Sequence, residues 1–116
     1  MIIVQGFHHI ALIVSSESSV EFYKQLGFTE TFRRERDSDT VVLMDGYGIE
    51  LELFIDSNHP GRSKPEPLGL RHLAFKVNSC EQIKNNYDCS SINKDWFGKN
   101  YCFAVDPDGN TIEFHE

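Results

Sequence analysis

Three cysteines, Cys80, Cys89 and Cys102, are all that the chain carries. The number is odd and no Cys-x-x-Cys occurs. Both facts argue against a disulfide framework or a zinc ribbon and fit a reducing cytoplasm. All three read as small apolar residues. Positive charge is also scarce. Eleven Lys and Arg against 18 Asp and Glu give a net charge of -7, with no run of five basic residues. Without a basic patch to neutralise phosphates, no nucleic-acid partner is expected. Long apolar runs are missing too. The stretch from Met1 to Val14 is interrupted by Gln5, His8 and His9 and has no basic lead-in, so neither a signal peptide nor a membrane helix is read there.

What is present is a 116-residue chain, 40% hydrophobic and 12% aromatic, which is the composition of one globular domain. Alternation predicts a strand over 5–14, with Phe7, His9, Ala11 and Ile13 on one face and His8, Ile10, Leu12 and Val14 on the other. Ser15 and Ser16 are N-cap candidates, Val20, Tyr23 and Leu26 form an apolar stripe, and Gly27 is a stop, so 16–26 reads as a helix. Strands follow over 28–36, 40–44 and 48–55, with a tight turn at Asp45-Gly46. The Pro- and Gly-bearing segment 57–69 reads as a linker. A shorter copy then runs as a strand over 70–77, a helix from Ser79 to about Asn85, a degenerate strand over 90–93, and strands over 99–105 and 111–115. The organisation is β-α-β-β-β twice: module one about 1–56, module two about 70–116.

The two halves repeat at a fixed offset. His9 and His72 are 63 residues apart, and so are Glu50 and Glu113. Their flanks repeat with them: His9-Ile10-Ala11 against His72-Leu73-Ala74, and Asp45-Gly46-Tyr47-Gly48-Ile49-Glu50 against Asp108-Gly109-Asn110-Thr111-Ile112-Glu113. A lone His on a strand is usually packing or surface, and a lone terminal Glu usually faces water. Four such residues in phase with a duplication offer two imidazoles and two carboxylates. That set suits one divalent ion (Ni, Zn, Mn, Co or Fe(II)) with positions open for substrate. Glu50 and Glu113 are then also the candidate general bases. His8, on the opposite face, reads as structural. Glu52 and His115 lie two residues after Glu50 and Glu113 and read as rim residues or supports of the ligands. Arg33, Arg36, Lys99, Phe54 and Trp96 are candidate substrate contacts, the cations for an anionic group and the aromatics for a lining.

The stretches Phe7-His8-His9-Ile10-Ala11, Phe22-Tyr23-x-x-Leu26-Gly27-Phe28, Gly69-Leu70-Arg71-His72-Leu73-Ala74-Phe75 and Asp106-Pro107-Asp108-Gly109 resemble the vicinal oxygen chelate superfamily, over essentially the whole chain. That superfamily holds glyoxalase I, fosfomycin-resistance and bleomycin-binding proteins and extradiol dioxygenases. The resemblance implies an α+β fold of two βαβββ modules related by a pseudo-twofold and forming a cup-shaped, mostly antiparallel sheet. It implies a metal held by His9, Glu50, His72 and Glu113, a set most like that of bacterial glyoxalase I. The implied activity is a cytoplasmic lyase or isomerase moving a proton on a substrate that chelates the metal through vicinal oxygens. The implied partners are a small-molecule substrate, a thiol such as glutathione, and a second copy in a homodimer. Ile13 stands where glyoxalase I typically has arginine, Phe54 where it has asparagine, and Ala11 where the fosfomycin enzymes have threonine. These departures bear on glutathione and thiol transfer rather than on the metal. An antibiotic-binding protein without turnover and an Fe(II) dioxygenase are the alternatives.

Overall fold

The computed structural model describes residues 1–116. The chain divides into two compact units, Met1–Pro60 and Gly61–Glu116.

Unit one contains β1 (Ile10–Val14), α1 (Glu17–Leu26), β2 (Thr29–Glu35), β3 (Thr40–Gly46) and β4 (Ile49–Ile55). Its sheet order is β1-β4-β3-β2, with β1 parallel to β4 and the other pairs antiparallel. α1 begins where the Ser16 side chain accepts the Ser18 N–H and ends at Gly27, whose φ of 115° is left-handed. The helix buries Ser19, Val20 and Tyr23, and the strands bury Val14, Val42, Met44, Leu51 and Leu53. Each fully buried aliphatic side chain contributes about 1.5–3 kcal/mol. Two expectations change here. Ladder pairing of β1 starts at Ile10, so 5–9 lies outside the sheet. The β3–β4 turn is Tyr47-Gly48 rather than Asp45-Gly46: Gly46 pairs with Ile49, and the two loop residues take φ of 56° and 74°. Positive φ at both central positions is what a two-residue hairpin loop demands.

Unit two repeats the plan with β5 (His72–Lys76), α2 (Cys80–Ile83), β6 (Asn93–Lys94), β7 (Asn100–Val105) and β8 (Thr111–His115), in the order β5-β8-β7-β6. Here α2 is a single turn, capped by Ser79, and β6 falls at 93–94 rather than 90–93. Its core is Cys80, Cys102, Ala104, Ile112 and Phe114, with the Tyr87 ring 5.3 Å from that of Phe114. Both units are therefore βαβββ modules with open four-stranded sheets, the α+β arrangement that the resemblance implies.

Candidate metal centre

Register decides which residues share a face. In unit one Leu51, Leu53, Val42 and Met44 are buried, so the alternate residues Ala11, Glu50, Glu52, Phe54 and Leu43 occupy the open face. His9 precedes β1 by one residue and reaches the same ground. His8, His9 and Glu50 each offer a ligand atom, and these atoms lie within 4.8 Å of one another. The His8 and His9 Nδ1 atoms are 2.8 Å apart, and His8 Nδ1 is 4.0 Å from Glu50 Oε2. His9 Nε2 sits 3.5 Å from Glu52 Oε1. The expectation that His8 turns away from His9 is thus overturned. Pairing begins only at Ile10, so strand alternation does not bind residues 8 and 9. Glu52 is a direct neighbour of a candidate ligand rather than a rim residue.

In unit two Ile112, Phe114, Cys102 and Ala104 are buried, which leaves His72, Ala74, Glu113, Phe103 and Tyr101 on the open face. His72 Nε2 lies 3.8 Å from Glu113 Oε1, and the half-buried imidazole packs edge-on to Phe103 with centroids 5.6 Å apart. The His–carboxylate pair at 3.8 Å is spaced as two donors of one ion would be, given metal–ligand bonds of about 2.0–2.2 Å. The donor set of imidazole and carboxylate fits a borderline divalent ion. Both modules therefore present their predicted His beside their predicted Glu.

The proposed substrate contacts fare differently. A bulge at Thr31 interrupts β2, which puts Glu30 and Arg33 on the same, helix-side face. Arg33 is held there by Glu17 and Glu30, which raises its pKa and lowers both of theirs through charge-assisted hydrogen bonds. It is a strut between α1 and β2, and this corrects its assignment to substrate. Arg36 is on the open face but is paired with Asp39, 2.7 Å away, and its guanidinium lies 5.5 Å from the centroid of Phe54. Trp96 and Lys99 belong to the β6–β7 hairpin tip, where both are exposed. That tip is organised by Asp95, whose Oδ1 accepts the Phe97 and Lys99 N–H groups and whose carboxyl is held below its ordinary range by those bonds. Asp95 Oδ2 also lies 2.8 Å from His115 Nε2. That pair joins residues 20 apart in sequence, and no local pattern announces it. Arg62, in the segment read as a linker, is half-buried: it donates to the Leu70 carbonyl, and its Nε is buried.

The family described as Glyoxalase/Bleomycin resistance protein/Dioxygenase superfamily matches residues 6–114. The Bacillus subtilis (strain 168) protein YwkD is 36% identical, with 98% of each chain covered. The crystal structure of a glyoxalase family protein from Enterococcus faecalis superposes with a TM-score of 0.85 at 34% identity, covering 97% of this chain and 98% of that one. At 17% identity, a likeness of fold alone, the fosfomycin resistance protein FosX of Listeria monocytogenes superposes with a TM-score of 0.74 over 97% of this chain and 93% of that one. That FosX structure is a complex with Mn(II) and a dihydroxypropylphosphonic acid.

Proposed function

The chain belongs to the Glyoxalase/Bleomycin resistance protein/Dioxygenase superfamily, a group with metalloenzymes among its members, and from that premise we propose that it is a divalent-metal-dependent lyase or isomerase of the glyoxalase I kind. The observation that carries this reading is that each module sets its duplicated His near its duplicated Glu: ligand atoms of His9 and Glu50 lie within 4.8 Å, and those of His72 and Glu113 are 3.8 Å apart. His9, Glu50, His72 and Glu113 are the residues that would hold the ion, with Ni, Zn, Mn, Co and Fe(II) all suited to such donors. When bound, the ion supplies Lewis acidity to a carbonyl oxygen and acidifies the neighbouring C–H.

The chain's own residues do the rest. Glu113 and Glu50 are half-buried carboxylates, with side chains 17% and 28% exposed. As general bases they accept a proton from a substrate carbon and return it to the adjacent one. Ala11 and Ala74, on the open faces beside the ligands, leave space for substrate. Phe103 and Leu43 keep those faces apolar around the polar groups. The substrate is a small 2-oxo or 2-hydroxy compound with adjacent oxygens, free or as a thiol adduct. The same reading takes the working form as a homodimer. Phe7, Trp96 and Phe97, each more than 80% exposed, supply apolar surface for a second copy.

The test is a calorimetric titration of chelator-stripped protein with each of the five ions, followed by turnover of methylglyoxal with glutathione and with other thiols. One tight site per chain, with metal-dependent product, is expected. Failure of every ion to bind would overturn the reading.

A further inference from the structure

The open face of unit two has three cross-strand rows. The register places His72, Thr111 and Val105 in the first, Ala74, Glu113 and Phe103 in the second, and Lys76, His115 and Tyr101 in the third. Members of a row are cross-strand neighbours roughly 5 Å apart, and successive rows are about 7 Å apart. The first two rows carry His72 and Glu113. The third differs in chemistry: Lys76, His115 and Tyr101 stand in register on adjacent strands, with Lys76 and Tyr101 on either side of His115, one row beyond the candidate ligand Glu113.

The polar atoms of this row are fixed or unused in a specific pattern. His115 is held by Asp95, through Nε2 at 2.8 Å, and its ring runs parallel to that of Tyr101, at 9° with centroids 6.4 Å apart. Asp95 is in turn locked by two backbone N–H groups, so the imidazole rests on a rigid support. The Tyr101 hydroxyl makes no hydrogen bond and Lys76 makes no ion pair, so both keep their donors. Lys64 is a useful contrast. It also reaches this face, 3.2 Å from the Thr111 hydroxyl in the first row, but Glu66 neutralises it at 3.2 Å. In a chain of net charge -7, Lys76 is the one Lys or Arg in these three rows, and it has no carboxylate partner.

We propose that the Lys76–His115–Tyr101 row is a substrate-positioning subsite for a carboxylate, carried by a substrate whose vicinal oxygens lie at the two rows that hold His72 and Glu113. This rests on the metal-chelate reading above and narrows its substrate class to 2-oxo or 2-hydroxy acids with a second, distal acid group. Lys76 supplies the charge and Tyr101 a directed hydrogen bond. His115, clamped by Asp95, is the spacer that keeps the two donors apart.

The test compares three acids with the same chelating head: lactate, with no distal carboxylate, then malate and 2-hydroxyglutarate, whose distal carboxylates lie progressively further out. Calorimetry on the Mn(II)-loaded protein is expected to give one of the diacids a Kd at least tenfold below that of lactate. Lys76→Met should bring that diacid to within threefold of lactate, and Tyr101→Phe should weaken it about threefold. Neither change should alter lactate or metal affinity. Equal affinities for the three acids, or a preference that survives Lys76→Met, would overturn the proposal. Metal titration of the same samples separates it from its premise. If no ion binds the wild type, the chelate reading falls, and the subsite is judged by amide shifts of Lys76, Tyr101 and His115 on adding succinate to metal-free protein. Localised shifts sustain it and their absence at millimolar succinate rejects it.

Discussion

His72 Nε2 and Glu113 Oε1 stand 3.8 Å apart on neighbouring parallel strands, facing each other without a hydrogen bond. That spacing suits two ligands of one ion. The expected outcome is that His72→Ala and Glu113→Ala each weaken divalent-metal binding by about a hundredfold or more, and that Glu52→Gln, beside His9, costs about tenfold. Calorimetry on chelator-stripped variants gives the answer. Unchanged affinity in both alanine variants would mean that the pair is not a ligand pair.

Replacing Glu113 with glutamine keeps its shape and a donor oxygen but removes its capacity to take a proton. With the methylglyoxal–glutathione pair as the assay, kcat should fall about 10²–10⁴-fold. The melting temperature should stay within a few degrees, because Glu113 lies on the open face and not in the core. A large drop in stability would show instead that the carboxylate holds the sheet together.

Much of this was legible from the chain because local physics and the duplication agreed. Ser16 and Gly27 mark both ends of α1 by their chemistry, and the structure uses each as a cap. The repeat of His9 and Glu50 in His72 and Glu113 locates both halves of the candidate centre. The failures have equally local reasons. His8 was misjudged because alternation holds only where a ladder holds, and the ladder starts at Ile10. Arg33 was assigned to substrate because a bulge at Thr31, which lets it meet Glu30, leaves no mark in the residue pattern. The Asp95–His115 bond and the row containing Lys76 depend on the register of β8 against its neighbours, which only the folded sheet specifies.

Gly27 and Gly48 both have positive φ, 115° and 74°, but their surroundings differ. A Cβ at Gly27 would lie 2.2 Å from the Tyr47 hydroxyl oxygen, whose proton goes to the Leu26 carbonyl, whereas a Cβ at Gly48 meets nothing within 4 Å. Gly48→Ala should therefore cost only the conformational penalty, about 1–2 kcal/mol. Gly27→Ala adds a clash and the loss of a helix-end hydrogen bond, for a total of about 2–4 kcal/mol. Urea unfolding of the two variants measures the difference. Equal losses would remove the role given to Tyr47.

Burial pushes the Cys80 thiol up to about 12 and shifts those of Cys102 and Cys89 upward as well, but of the three only Cys89 is part-exposed. Only a thiolate attacks an alkylating agent at a useful rate. In native protein at pH 8, iodoacetamide should therefore modify half-buried Cys89 first and leave Cys80 and Cys102 untouched, whereas urea should expose all three equally. Intact-mass spectrometry counts the adducts. Early labelling of Cys80 would mean that the unit-two core opens readily.

The C-terminal Glu116 carboxylate accepts the Cys80 N–H at the start of α2 and a hydrogen bond from the Asn100 side chain. These bonds, the backbone one foremost, hold its pKa below the ordinary 4.5. A carboxyl with a depressed folded-state pKa adds stability that is fully present above the unfolded value. That stability is lost as the pH falls through the folded value. Acid should therefore loosen unit two progressively below about pH 4.5, and part of that slope belongs to Glu116. Glu116→Gln retains an acceptor oxygen but cannot titrate. The variant should be somewhat less stable than wild type at pH 7 and approach it near pH 3, with a shallower acid limb. Urea midpoints of both proteins between pH 3 and pH 7 decide the matter: parallel limbs would show that the carboxylate's charge contributes nothing to anchoring the short helix.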